Sequence, residues 1–344
     1  MKEINYLKKS HKIYLVAPSF GCTTEPYKTR LDAAITNLQE EGYDVIEGHN
    51  IYLNKGHVRS NSAKNCAKEF NEAYLNSNDG DAIISVGGGE TMCEILPYIN
   101  FKKIKQAPHR FFMGFSDNTC LTYTLTTLCE VKTIYGPCAG SFAFKPFEYS
   151  TKDALDLLTN KVNKTKGYPV WERYKDYEAI TNNPLLSSNF SEDKIIKLYP
   201  KDSSFNLTGR LLGGCLDILI MLCGTKYDET SKYLEKYKED GFIWFLESCD
   251  LNSLMIERGL FQLKEAGWFK YCKGFIFGRP LHFKEKILGV DHYSAIKTIL
   301  KELKLPIAFD VDLGHFDPSM PVITGAKANV VIEKGNIFIK YLKE

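Results

Sequence analysis

Nucleophilic acyl transfer needs a hydroxyl or thiol, a base to deprotonate it and a group that orients the base. Ser116, His315 and Glu247 are of those types, and each follows an apolar run. The run FFMGF (111–115) leads into GFSDN (114–118), and a helical pattern occupies 117–130. A serine delivered by a strand into a sharp turn before a helix stands above the sheet, close to the first helical N–H groups. Asn118 replaces the last glycine of a full G-x-S-x-G. Serine is also a favoured helix N-cap, the plainer role on the pentapeptide alone. Glu247 ends the run FIWFLE (242–247), where a carboxylate could orient a histidine, with Asp250 a close rival and a solvated loop acid the plain alternative. His315 lies in DLGHFDP (312–318) after PIAFDVD (306–312), and Gly314 permits an unusual backbone path that could turn the imidazole inward. Most loop histidines have no such task. The chain order serine, acid, histidine is nonetheless one that triads use. All three following strands is a coincidence the separate plain readings leave unexplained.

A second cluster is the turn VGGGET (86–91), with Gly88, Gly89 and Glu90 after a buried run. Glycines let backbone approach a ligand closely and aim N–H groups at negative charge. The turn could be half of an oxyanion hole, partnering the N–H after Ser116. It could equally cradle a phosphate, since GGGET resembles the GGDGT turn of NAD- and lipid-kinase-like proteins, and a nucleotide-binding kinase is the alternative of a different class. A tight strand-to-helix connection is the plain reading.

The elements that must position these residues alternate. Strand patterns at 12–19, 43–48, 81–89 and 111–115 are separated by helical patterns carrying Leu31, Ala34, Ile35 and Leu38, then Ala63, Ala67, Phe70 and Tyr74. Such alternation predicts an α/β fold with a mainly parallel sheet, whose functional residues gather at the strands' carboxyl ends. From 163 to 208 the sequence is polar, aromatic-studded and weakly periodic, which predicts an inter-domain segment. In LTGRLLGGCLDILIMLCGT (207–225) we expect a glycine turn opening an apolar helix, and at Gly335-Asn336 a hairpin turn. The expected organisation is therefore 1–162 carrying the serine, 163–208 as connection, and 209–344 carrying acid and base.

Composition bounds the function. At about 150 residues per domain, 344 residues suggest two domains. Lys and Arg number 44 against 42 Asp and Glu, a formal net charge of +2 that argues against a nucleic-acid partner. An apolar share of 44% and a charged share of 25% are those of a globular protein with a sizeable core. No segment reads as a membrane span or export signal, and the ten cysteines include no C-x-x-C pair, so we expect a cytoplasmic protein with reduced thiols, no metal and no cofactor.

Seven ordered blocks carry a resemblance over nearly the whole chain: APSFG with GGGETMCEILPYI, GFSDNTCLTY with IYGP, GRLLGGCLDILIMLCGT, FLE, IERGLFQLKEAGWF, GFIFGRP and DVDLGHFDPSMPVITGAKANVVI. The sequence resembles the LD-carboxypeptidase family of serine peptidases, which includes murein tetrapeptide carboxypeptidases and microcin C immunity proteins. The resemblance implies a Rossmann-like parallel-sheet amino-terminal domain, a smaller β-rich α/β carboxyl-terminal domain and a homodimer. It makes Ser116 the nucleophile, His315 the base, Glu247 the orienting acid, and the N–H groups of Gly89 and Asp117 the oxyanion donors. Gly88, Glu90, Trp171 and Arg258 become candidates for substrate binding, and Arg210, Arg258 and Arg279 for holding a terminal carboxylate, with structural ion pairs the plainer role of each arginine. The implied activity is metal-free hydrolysis of a small peptide, foremost the L,D-amide of murein tetrapeptide in peptidoglycan recycling. The alternative is an immunity-like hydrolase of aminoacyl- or peptidyl-nucleotides. Two departures leave the choice open: Glu90-Thr91 stands where the family often has an aromatic-glycine pair, and Cys215 where an asparagine is usual.

Overall fold

A computed structural model describes residues 1–201 and 203–344. In chain order its strands are β1 (Lys12–Val16), β2 (Asp44–Glu47), β3 (Ala82–Ser85), β4 (Phe111–Gly114), β5 (Thr133–Tyr135), β6 (Lys164–Lys166), β7 (Val170–Trp171) and β8 (Glu192–Asp193). Then come β9 (Lys197–Tyr199), β10 (Phe205–Cys215), β11 (Phe242–Glu247), β12 (Cys272–Gly278), β13 (Ile307–Val311), β14 (Val322–Thr324), β15 (Lys327–Glu333) and β16 (Asn336–Tyr341).

The first sheet has the order β14-β5-β4-β3-β1-β2. Its five strands from the first half are parallel, as continuous apolar runs such as AIIS and FFMG require when both faces are covered. The second sheet, β6-β16-β15-β10-β11-β12-β13-β9, has a parallel centre, β10 to β13, with antiparallel strands outside it. The expected α/β class is what the chain forms, and the second sheet as well as the first has a parallel centre.

Three local expectations are corrected. The 207–215 stretch is the end of an eleven-residue strand, and the helix Leu216–Leu222 starts only after it. Gly213 and Gly214 lie inside the ladder because β10 is crowded there: a Cβ on Gly214 would sit 2.7 Å from Thr119 Cγ2. The 163–208 segment is more than a connection, since β6 and β9 form both edges of the second sheet. The hairpin turns at Lys334-Gly335, both with positive φ (49° and 71°), because Asn336 already pairs with Glu333.

The helix after Ser116, Thr119–Cys129, packs against both halves. Tyr123 stacks on Trp268 with centroids 5.1 Å apart, and Thr119 Oγ1 accepts the Cys215 N–H at 3.0 Å. Its threonines tolerate burial by donating back to carbonyls one turn earlier, Thr126 to Thr122 at 2.9 Å and Thr127 to Tyr123 at 3.0 Å. This helix fixes the serine loop relative to the second sheet. Among the described residues no helix is long and apolar enough to cross a membrane.

Candidate active site

Strand β4 ends at Gly114, and Ser116 follows with a φ of 62°. A non-glycine residue there stores about 1–3 kcal/mol, which surrounding bonds must offset. The Ser116 N–H donates to Tyr135 Oη at 3.1 Å. Asn118 Nδ2 donates to the Phe115 and Gly87 carbonyls, both at 2.9 Å. Asn118 therefore staples the serine turn to the glycine turn. A glycine in its place would lose both bonds, so the departure from G-x-S-x-G has a structural use. Gly114 is required beside it, since a Cβ there would lie 2.6 Å from Asn118 Cγ.

Glu247 is the last residue of β11 and is buried. Its Oε2 lies 2.9 Å from His315 Nδ1, and its Oε1 accepts from the Tyr135 hydroxyl. His315 Nε2 lies 2.9 Å from Ser116 Oγ. With Glu247 ionised, Nδ1 carries the proton and Nε2 presents its lone pair to the serine. Gly314, at φ 104°, is what allows this approach: a Cβ there would come within 2.6 Å of Glu247 Oε2. Burial alone would push Glu247 up, but the His315 charge and the bonds from His315 and Tyr135 outweigh it and hold the carboxyl below its usual range. Burial likewise works against the His315 imidazolium, yet the Glu247 charge, the Cys249 sulfur beside the ring and the hydrogen bond that Glu247 accepts lift it well above the ordinary imidazole value. Asp250, the rival acid, is exposed and outside this chain of bonds.

The glycine turn lies against the serine. A Cβ on Gly88 would be 3.5 Å from Ser116 Oγ, and Gly89 has a φ of 135°. The buried Asp117 carboxylate accepts the Ser19 hydroxyl at 2.7 Å and the Met92 N–H at 2.9 Å, tying the loops after β1 and β3 to the serine turn. Burial raises the Asp117 pKa despite those bonds. Among the described residues the backbone N–H groups of Gly89 and Asp117 find no protein acceptor. Glu90 is exposed beside them.

The other expected residues divide. Trp171 is buried edge-on against Phe316, the neighbour of His315, with centroids 5.1 Å apart, and the Arg279 guanidinium lies 4.5 Å over its ring. It walls the His315 loop and offers no open stacking face. Arg279 pairs with Asp312 at 2.5 Å, and Arg210 with Asp240 at 2.6 Å and Glu344 at 2.8 Å. Arg258 is exposed on the outer face of helix Ser253–Glu265, beside Phe261 and Ile299, and is not brought to the serine. Ile256, Leu260 and Leu263 mark that helix's buried face, a periodicity that already turns Arg258 outward. Tyr135 was missed as a site residue: it is one more apolar-looking position in a short buried strand, although IYGP was among the matching blocks.

Comparison with known proteins matches residues 13–136 to the LD-carboxypeptidase N-terminal domain and residues 208–330 to the LD-carboxypeptidase C-terminal domain. A carboxypeptidase-like protein of Vibrio cholerae is 23% identical over 309 residues, 88% of this chain and 86% of its own. One from Bacillus subtilis is 25% identical over 328 residues, 91% and 90%. Among solved structures, the chain is similar to MccF in complex with glutamyl sulfamoyl guanosine (TM-score 0.80, 22% identity, 99% of each chain). It is also similar to a muramoyltetrapeptide carboxypeptidase from Oxalobacter formigenes (TM-score 0.71, 21% identity, 96% of this chain and 99% of the other).

Proposed function

The chain belongs to the LD-carboxypeptidase family, and on that premise we propose that it hydrolyses an amide of a small peptide by acyl transfer through Ser116. The observation that carries this is the unbroken run of contacts from Ser116 Oγ through His315 to Glu247. His315 Nε2 takes the serine proton as Oγ attacks the carbonyl carbon. Glu247 holds the ring in the required tautomer and stabilises the imidazolium that forms. The N–H groups of Gly89 and Asp117 receive the oxyanion, each worth about 2.7–4 kcal/mol if well aligned. His315 then returns the proton to the leaving amine. Water, deprotonated by the same nitrogen, releases the acyl group and restores the serine.

The substrate we favour is murein tetrapeptide, cleaved at its L,D-amide in peptidoglycan recycling, with the enzyme a cytoplasmic homodimer. A second reading, hydrolysis of aminoacyl- or peptidyl-nucleotides, is favoured by the higher TM-score to MccF, 0.80 against 0.71 for the tetrapeptide enzyme. Incubation with murein tetrapeptide and, separately, with an aminoacyl sulfamoyl adenosine, followed by mass spectrometry, tests both. Loss of the terminal D-residue from the first supports the favoured substrate. Release of the amino acid from the second alone supports the other, and turnover undiminished by Ser116→Ala overturns the mechanism. The kinase reading predicts ATP-dependent product instead.

A further inference from the structure

Ser116 and Glu247 sit on different sheets, yet one phenol touches both. Tyr135 ends β5, is 1% exposed, accepts the Ser116 N–H at 3.1 Å and donates its own proton to Glu247 Oε1. We propose that Tyr135 is a positioning residue, which pins the serine turn to the orienting carboxylate and sets how strongly the Glu247–His315 pair holds its proton.

Three consequences follow from that placement. The Ser116 N–H is engaged by Tyr135, so the oxyanion donors are the N–H groups of Gly89 and Asp117 rather than that of the serine. Each Glu247 oxygen has its own partner, Oε1 the phenol and Oε2 the imidazole, which fixes the carboxylate plane and hence the direction of His315. The phenol's single hydrogen is directed to Glu247, so its oxygen faces the Ser116 N–H as an acceptor. Phenylalanine would fill the same space while losing both bonds.

A donor on a carboxylate stabilises its charge most when the imidazole is neutral, because a charged imidazole already compensates it. Removing the phenol therefore raises the proton affinity of the pair, and a more acidic phenol lowers it. The other titratable groups facing the pair are the thiols of Cys215 and Cys249, with Asp217 and Asp250 beyond them. All four are unchanged in both variants.

The inference rests on the serine-hydrolase reading for its kinetic arm only. Its primary test is the titration of His315 followed by NMR of the imidazole nitrogens in the full chain, which needs no substrate. In Tyr135→Phe the midpoint moves up by about one pH unit, and with 3-fluorotyrosine incorporated it moves down. In kinetics, Tyr135→Phe lowers kcat by up to about 10²-fold with KM little changed, as expected for a displaced reacting group. The fluorotyrosine protein keeps the side chain's shape and covers the case in which Tyr135→Phe fails to fold. A His315 midpoint that stays put in the fluorotyrosine protein, or moves the same way in both proteins, overturns the proposal. A normal titration shift with no turnover of either substrate would instead count against the hydrolase reading.

Discussion

Two buried ionic clusters lie on either side of the loop that carries His315, and they differ in what they leave free. In one, Arg279 pairs with Asp312 at 2.5 Å and donates to the Asp310 carbonyl, while Asp312 also accepts the Tyr168 N–H at 2.7 Å and faces Lys194 at 3.5 Å. Asp312 is closed in by permanent partners. In the other, Glu247 is just as well satisfied, but its partner His315 keeps Nε2 against the Ser116 hydroxyl. Both clusters sit at the carboxyl ends of parallel strands, so buried charge at a sheet edge does not by itself mark chemistry. A proton acceptor whose lone pair faces a hydroxyl or thiol does.

Substitutions should separate the two clusters. Ser116→Ala should abolish hydrolysis, about 10⁴–10⁶-fold in kcat, with the melting temperature not lowered. Glu247→Gln keeps the shape but not the charge and should cost about 10⁴-fold, read as kcat at the pH optimum. In the other cluster the order of effects reverses. Asp312→Asn leaves Arg279 buried without its charge partner and should destabilise the fold by about 3–5 kcal/mol in denaturant titrations, while activity per folded molecule largely survives. If Asp312→Asn instead removed activity from a fully stable protein, the contrast would fail.

The pH dependence sharpens the same contrast. A general base works only when neutral, and the folded pKa of His315 is raised, so the proposed mechanism expects kcat/KM to climb through a midpoint above about 6.5. For stability the sign runs the other way: the raised pKa contributes stability fully below the unfolded value, and that contribution fades as pH rises through the folded one. Denaturant midpoints of the wild type and His315→Gln across that range measure it. The smallest effect is expected at Arg258, whose exposed outer-face position predicts that Arg258→Ala changes stability by under about 0.5 kcal/mol and leaves kcat/KM unchanged.

The unequal legibility of the sequence has physical causes. Parallel strands buried on both faces read as plain apolar runs, so β3, β4, β11 and β13 are legible in the sequence. Ser116, Glu247 and His315 stood out because each is polar just where such a run stops. Tyr135 did not, because its phenol is reached through a neighbouring strand and no local spacing announces it. The end of β10 differs from expectation because a glycine pair before an apolar run carries the signal of a turn that opens a helix. Parallel pairing with β11, which sets Gly213 opposite Phe245 and Gly214 opposite Leu246, makes it strand. Arg258 lies in a matching block, but the periodicity that buries Ile256, Leu260 and Leu263 turns it outward.

The central claim is that His315 activates Ser116. Intact-protein mass spectrometry after exposure to a fluorophosphonate tests it without knowledge of the substrate. One adduct is expected, mapped to Ser116, absent in Ser116→Ala and strongly slowed in His315→Ala. A wild type that stays unlabelled, or labelling that proceeds equally fast in His315→Ala, would contradict it.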